Sequence, residues 1–260
     1  MIIGKNKDGL VKNDHGNHMN RIRVLTSGTL FLFSLYCLFF DHTLPFSLPV
    51  EIYRIAFIYF AFFPIKDMLS FANLSLYKGR QFEKNYIPNP ELQQQEFIKM
   101  KRRYDYRAIS AFLFWILFMA VPGSLYLLGY IEKIWIFVFF ALSNFSVFFA
   151  IFGWCPFNSI FIRPDCCMEC RIYNWDSFFQ YSFLIFIPNV MTVTLFILGV
   201  LSLIEWEVNY AKHPERFYKM SNAHLICEHC DLDACRQHKK KMFHKTLKAE
   251  YDQDKKRRDN

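Results

Sequence analysis

Five long apolar segments constrain this chain more than any other feature of its sequence. They cover residues 24–40, 48–72, 108–130, 133–153 and 177–206, and the middle of each is nearly free of charge. A helix of about 18 or more apolar residues can cross the roughly 30 Å of hydrocarbon in a bilayer. Apolar residues make up 53% of the chain, and they are bunched in these segments rather than alternating. The sequence therefore predicts an all-α, polytopic integral membrane protein.

Lys and Arg are distributed unevenly between the apolar segments. Residues 1–23 hold five of them, residues 78–107 eight and residues 207–260 thirteen, whereas residues 41–49 hold none. Because basic loops stay on the cytoplasmic side of a membrane, the N-terminus is expected to be cytoplasmic. The predicted order is a cytoplasmic arm (1–23), a first transmembrane pair (24–77), a basic cytoplasmic loop (78–107), a second transmembrane pair (108–153) and a cysteine-rich cytoplasmic loop (154–176).

The last apolar segment is too long for one comfortable span. As a single helix, residues 177–206 would extend about 45 Å, which exceeds the bilayer thickness without steep tilt. Pro188 and Asn189 lie near its middle, where proline favours a break. We therefore expect four spans followed by a C-terminal membrane hairpin that returns a basic, cysteine-rich tail (207–260) to the cytoplasm. The alternative is one kinked fifth span with the tail outside.

The net charge of +8 does not require a nucleic-acid partner. The charge lies in loops and tails beside apolar segments, where membrane orientation and anionic lipid account for it. No cleavable signal pattern precedes the first apolar segment. We expect a protein of the inner or plasma membrane whose partners are the lipid bilayer and a protein at the cytoplasmic face, with no nucleic acid.

Seven of the eight cysteines fall into two groups. Cytosolic disulfides are rare, and adjacent cysteines have Cα atoms about 3.8 Å apart, less than the roughly 4.4 Å that a disulfide needs. Thiols grouped in this way favour metal ligation. The candidate metal ligands are Cys155, Cys166, Cys167 and Cys170 in the loop, and Cys227, Cys230, Cys235 and His238 in the tail.

Two C-x2-C pairs, CMEC (167–170) and CEHC (227–230), carry the most specific signal. This spacing turns two sulfurs to one side, and a tetrahedral zinc ion needs thiolates at about 2.3 Å. The two pairs could form one four-cysteine site that joins the loop to the tail. Alternatively, each group forms its own site. Zinc is the favoured cofactor, and an iron–sulfur cluster is the alternative, although the standard ferredoxin spacing is absent.

The sequence contains no nucleotide-binding, nucleophile-elbow or zinc-protease motif, so catalysis is not the leading hypothesis. The leading function is a scaffold or complex subunit in which a zinc site staples the cytoplasmic loop to the tail. One alternative is a membrane redox protein that passes electrons from an iron–sulfur cluster to a partner or to quinone. A second is a metal-handling or transport protein, in which Lys66, Asp67 and Cys37 would be pathway residues.

Overall fold

The computed structural model describes residues 14–69, 81–90, 92–152, 155, 157–162 and 170–226. Within these residues the regular structure is helical, and the one β-type contact is an isolated bridge between Pro88 and Asn222. The predicted all-α class is therefore confirmed for the described part of the chain. The α-helices are α1 (Asp14–Phe40), α2 (Val50–Met68), α3 (Gln94–Leu127), α4 (Lys133–Phe152), α5 (Asp176–Tyr181) and α6 (Val190–Lys212).

Among the described residues, four helices are long and apolar enough to cross a membrane: α1, α3, α4 and α6. They support the prediction of an integral membrane protein. The segment predicted over residues 48–72 does form a helix, α2, but this helix is not among the four. It carries Glu51 and Arg54 near its start and Lys66 and Asp67 near its end, and these charges interrupt the apolar run.

Three helices extend beyond the apolar segments that predicted them. Helix α1 begins at Asp14, whereas the predicted segment begins at residue 24. Part of the predicted basic loop (78–107) is helical and continues into the apolar segment as one 34-residue helix, α3. No proline or glycine lies between residues 94 and 121 to interrupt it. At the other end of the chain, α6 continues to Lys212, beyond the predicted limit at residue 206.

Helices α2 and α4 both contact α1 and run in the direction opposite to it. Phe31 of α1 stacks on Phe145 of α4 with ring centroids 5.7 Å apart. The C-terminal side of α1 lies beside the start of α4, where His42 Nδ1 is 2.7 Å from Glu132 Oε2. Helix α2 returns along α1, as the contact between the Thr26 and Tyr59 hydroxyls at 2.7 Å demonstrates.

The predicted break at Pro188 and Asn189 is present. Helix α5 continues as a short 3₁₀ helix (Ser182–Phe186), and α6 begins only at Val190. Asn189 caps α6, because its side-chain oxygen accepts hydrogen bonds from the backbone N–H groups of Met191 at 2.9 Å and Thr192 at 3.0 Å. Such a cap satisfies donors that the first helical turn leaves without partners.

Residues 176–186, the first arm of this hairpin, run parallel to α3 and antiparallel to α6. Trp115 of α3 packs against Phe179 with ring centroids 4.6 Å apart, and Gly123, farther along α3, lies against the ring of Phe186. On the other side, a Cβ atom at Gly199 of α6 would lie 3.0 Å from the carbonyl oxygen of Ser177. The first arm is about 19 Å long, less than the thickness of the hydrocarbon. Its re-entrant placement in a membrane stays a prediction.

The segments that connect the helices lie at the two opposite ends of the helix bundle. One end, which we call the basic end, contains the start of α3, the end of α6 and residues 81–90, 170–175 and 213–226. The opposite end contains residues 41–49 and 128–132. Residues 81–90, 170–175 and 213–226, which come from segments predicted to be cytoplasmic, thus lie at one end. Residues 157–162 of the predicted cysteine-rich loop instead pack farther along α3, where Phe157 and Phe161 contact Phe114. The assignment of that end to the cytoplasm remains a prediction from charge.

Candidate functional site

A half-buried guanidinium, that of Arg171, connects several elements at the basic end of the bundle. Arg171, the first residue of a 3₁₀ helix (Arg171–Trp175), donates from Nε to Glu207 Oε1 at 2.9 Å and from Nη2 to Glu207 Oε2. Its Nη1 donates to Asp105 Oδ1 at 2.8 Å. Asp105 belongs to α3 and Glu207 to α6, so one side chain connects the end of the cysteine-rich segment to two candidate spans. Bidentate Arg–carboxylate geometry fixes both distance and orientation.

Further side chains donate hydrogen bonds to the two carboxylates. Asp105 also accepts hydrogen bonds from Lys101 Nζ at 2.9 Å and from the Tyr210 hydroxyl at 2.6 Å. Glu207 Oε1 also accepts one from Trp175 Nε1 at 2.7 Å. We refer to these residues together with Tyr218 as the Arg171 cluster: Lys101, Asp105, Arg171, Trp175, Glu207, Tyr210 and Tyr218.

The spacing of these residues along their helices explains why they meet. Lys101 and Asp105 are four residues apart on α3, and Glu207 and Tyr210 are three apart on α6, so each pair shares one helix face. The Arg171 guanidinium also lies over the Tyr210 ring, 4.2 Å from its centroid. The cluster contains two cations, Lys101 and Arg171, and two carboxylates, Asp105 and Glu207. Their formal charges sum to zero.

The electrostatics of the cluster indicate a structural role. Burial disfavours the charged form of Arg171, but hydrogen bonding and attraction from Glu207 outweigh it and raise the pKa of Arg171 above its ordinary value. Burial also raises the pKa of Tyr218, and the nearby charge of Asp105 acts in the same direction. Arg171 thus stays protonated and Tyr218 stays a neutral phenol near pH 7. Neither group is poised for proton transfer.

The Arg171 cluster continues into the beginning of the C-terminal tail. The Tyr210 and Tyr218 hydroxyl oxygens are 2.5 Å apart, which links α6 to the residues beyond it. Tyr218 stacks on Tyr104 of α3 with ring centroids 5.8 Å apart. Phe97 and Phe217 are buried in the same aromatic group. The first part of the tail is therefore packed onto α3 as well as onto α6.

Residues 213–226 also bind the loop before α3. The backbone N–H of Asn89 donates to Ser221 O at 3.0 Å, and that of Ala223 donates to Ile87 O at 2.8 Å. The buried Asn222 side chain accepts from Ile87 N at 3.4 Å and donates to Arg216 O at 2.9 Å. The beginning of the tail and the end of the basic loop thus form one hydrogen-bonded unit.

Two of the eight predicted metal ligands lie within the described residues. Cys170 is buried at the N-terminus of the Arg171–Trp175 helix, and its carbonyl accepts a hydrogen bond from Tyr173 N at 2.9 Å. Cys155 is half-buried just after α4. The other six, Cys166, Cys167, Cys227, Cys230, Cys235 and His238, lie outside the described residues. Within the part of the chain that the structure describes, no three His, Cys, Asp or Glu side chains are grouped as a metal site would require.

The residues of the alternative transport hypothesis do not form one group. Cys37 is completely buried in α1, as expected for a small apolar residue. Lys66 is half-buried near the end of α2, and the side chain of Asp67 lies outside the description.

Sequence reasoning missed the carboxylates of the Arg171 cluster. Asp105 was assigned to the basic cytoplasmic loop (78–107), and Glu207 was taken as the first residue of the tail. Both stand where an apolar segment gives way to a polar one, and a carboxylate at such a boundary can pair with a basic residue of a neighbouring loop. That signal marks candidates, but the sequence does not identify Arg171 as the partner.

No known protein family, characterised protein or solved structure matches this chain.

Proposed function

We propose that this chain is a membrane scaffold or complex subunit in which the cysteine-rich loop and the C-terminal tail are stapled together at the basic end. In this role zinc is held by Cys167, Cys170, Cys227 and Cys230. The observation that carries the proposal is the position of Arg171, directly after Cys170. Its side chain binds Glu207 of α6, three residues before Tyr210, which contacts Tyr218 of the tail.

This arrangement supports a joint site because it brings the two cysteine-bearing segments to the same end. The loop reaches the Arg171 cluster at residue 170, and the tail leaves the same end at residue 226, one residue before Cys227. A four-cysteine zinc site needs both pairs within one coordination sphere. Loop and tail on opposite sides of a membrane could not meet this requirement.

The charge pattern supports a cytoplasmic position for the basic end. The segments that contain five, eight and thirteen Lys and Arg residues all begin or end there, and residues 41–49 at the opposite end contain none. The positive-inside rule then places the N-terminus, the loop and the tail in the cytoplasm. Reporter fusions test this orientation. A fluorescent protein fused after residue 260 should be bright, and alkaline phosphatase at the same position should be inactive.

The staple itself is tested by elemental analysis of protein purified in detergent without chelator and without air. We expect about one equivalent of zinc and no visible absorbance, since zinc has a filled d shell. Cys167→Ser and Cys230→Ser should each abolish zinc binding if the site is shared. Cys37→Ala is the matched control, because this buried cysteine of α1 belongs to neither group and its variant should keep its zinc.

The other outcomes each contradict part of the proposal. If Cys167→Ser and Cys230→Ser each remove only half of the zinc, there are two separate sites and no staple. A brown preparation that contains iron and sulfide would favour the redox alternative. Protein that binds neither metal would refute the metal staple and leave the Arg171 cluster as the connection between loop and tail.

A further inference from the structure

Three buried polar atoms along the hairpin have no hydrogen-bond partner among the described residues. They are Asn144 Oδ1 of α4, Asn174 Oδ1 just before α5, and Ser202 Oγ of α6. The three residues are 0%, 2% and 1% exposed. Atoms of this kind are rare in native proteins, because a buried polar group without a partner loses the hydrogen bonds that water would give it.

The amide orientations identify oxygen as the atom without a partner in both asparagines. Asn144 Nδ2 donates to Phe140 O at 2.9 Å and to Gln180 O at 3.3 Å. Asn174 Nδ2 donates to Gln81 Oε1 at 2.9 Å. Rotating either amide by half a turn would place its oxygen against another oxygen. Both positions therefore present acceptors to a group that can donate.

The three atoms follow the first arm of the hairpin. Asn174 lies beside Trp175 of the Arg171 cluster, and Asn144 meets Gln180, farther along the arm. Ser202 is three residues from Gly199, which touches Ser177, so it shares the face of α6 that covers the arm.

Other buried polar side chains lie between these residues and beyond them along the arm. Asp176 at the start of α5 accepts a hydrogen bond from Ser177 N at 2.6 Å. Farther along the arm, Trp115 Nε1 donates to Ser182 Oγ at 3.2 Å. We call these residues the polar seam: Asn144, Asn174, Asp176, Ser177, Gln180, Ser182 and Ser202.

We propose that the polar seam binds water molecules that enter from the basic end and reach the level of Ser182. Water fits because it donates to amide and hydroxyl oxygens and needs only two to four polar partners. A hard cation such as calcium would need six to eight oxygen ligands, more than the three oxygens identified above. The polar seam is thus a path for water from the basic end into the hairpin. This proposal does not depend on the proposed zinc staple.

Radiolytic footprinting of the full chain in lipid nanodiscs tests this path. Hydroxyl radicals formed from bound water oxidise nearby side chains even when these are buried. Phe178 and Phe179, which lie between the seam residues Ser177 and Gln180 in the chain, are 6% and 4% exposed. Phe97 and Phe217 of the aromatic group at the basic end are 6% and 3% exposed. The two pairs are matched in residue type and in burial, and the difference that the experiment uses is their distance from the polar seam.

We expect several-fold faster oxidation of Phe178 and Phe179 than of Phe97 and Phe217. The variant Asn144→Leu, Ser202→Ala removes two of the acceptors and should bring Phe178 and Phe179 down to the level of the control pair. Ser202→Ala alone should give a partial decrease if the double variant does not fold. Equal oxidation of the two pairs in the unsubstituted protein would establish a dry seam and overturn the proposal.

Discussion

Replacing Arg171 by methionine tests the structural role of its cluster most directly. The substitution keeps an unbranched side chain but removes three charge-assisted hydrogen bonds, two to Glu207 and one to Asp105. Each is worth about 1.5–3 kcal/mol when its partner is left without a substitute. Simple addition therefore gives an upper limit of roughly 9 kcal/mol.

The loss of stability in Arg171→Met should be smaller than this upper limit. Asp105 keeps Lys101 and Tyr210 as donors, and Glu207 keeps Trp175. The side chains of Arg171, Asp105 and Glu207 are 19%, 26% and 29% exposed, so water replaces part of what is lost. Breaking a fully buried ion pair costs about 3–5 kcal/mol, and we expect a loss of about 2–4 kcal/mol here.

The unfolding free energy can be measured by steric trapping in detergent micelles or bicelles. Arg102→Met is the matched control, because Arg102 is exposed one residue after Lys101 on α3, and its loss should stay within about 0.5 kcal/mol. Combining Arg171→Met with Glu207→Gln should cost less than the sum of the single changes, since the second change removes a carboxylate that the first leaves without its cation. Equal stabilities of Arg171→Met and Arg102→Met would refute the reasoning.

Three further predictions concern other parts of the fold. Gly199→Val should lower the free energy of unfolding by about 2 kcal/mol, because a Cβ atom would lie 3.0 Å from Ser177 O. Gly28→Val should cost less in the same unfolding assay, because its Cβ atom would meet only the Phe145 ring, at 3.6 Å. Asn222→Ala should lower the free energy of unfolding by about 1–3 kcal/mol, because it leaves buried backbone groups without partners. Limited proteolysis should then cut residues 213–226 faster. Unchanged cleavage would contradict the packing of these residues onto the basic loop. Hydrogen bonding to Glu132 and to Leu38 O raises the pKa of His42 above its ordinary value of about 6.5. The resulting stabilisation is complete below that ordinary value and is lost as pH rises through the raised folded-state pKa, so Tm should fall over this range and Glu132→Gln should flatten the profile.

The sequence was sufficient to predict the parts of this fold that depend on local chemistry. Apolar length predicted membrane-spanning helices, and Pro188 with Asn189 predicted the break before α6, because proline and a capping side chain act on their own neighbours. The span predicted over residues 48–72 forms helix α2, but the charges near both ends of α2 leave its membrane crossing a prediction. The extent of α3 was missed because residues 94–107 were assigned to the basic loop.

The candidate site was less accessible from sequence because its residues come from distant parts of the chain. Arg171 stands 66 positions from Asp105 and 36 from Glu207, and neither separation has a periodic signature. The cysteine spacing drew attention to the correct segment, since Cys170 adjoins Arg171. It did not indicate that a carboxylate network would hold this segment in place.

The Arg171 cluster changes how a metal site in this chain would form. Zinc binding often supplies the free energy that folds its own ligand segment. Here the end of the loop and the start of the tail are already held at one end of the bundle by hydrogen bonds among described residues. A joint site would therefore be partly preorganised, which lowers the free energy that zinc binding must supply to bring the loop and the tail together. On this argument Arg171 acts through position rather than ligation, so its loss should weaken zinc binding while Cys167, Cys170, Cys227 and Cys230 remain intact.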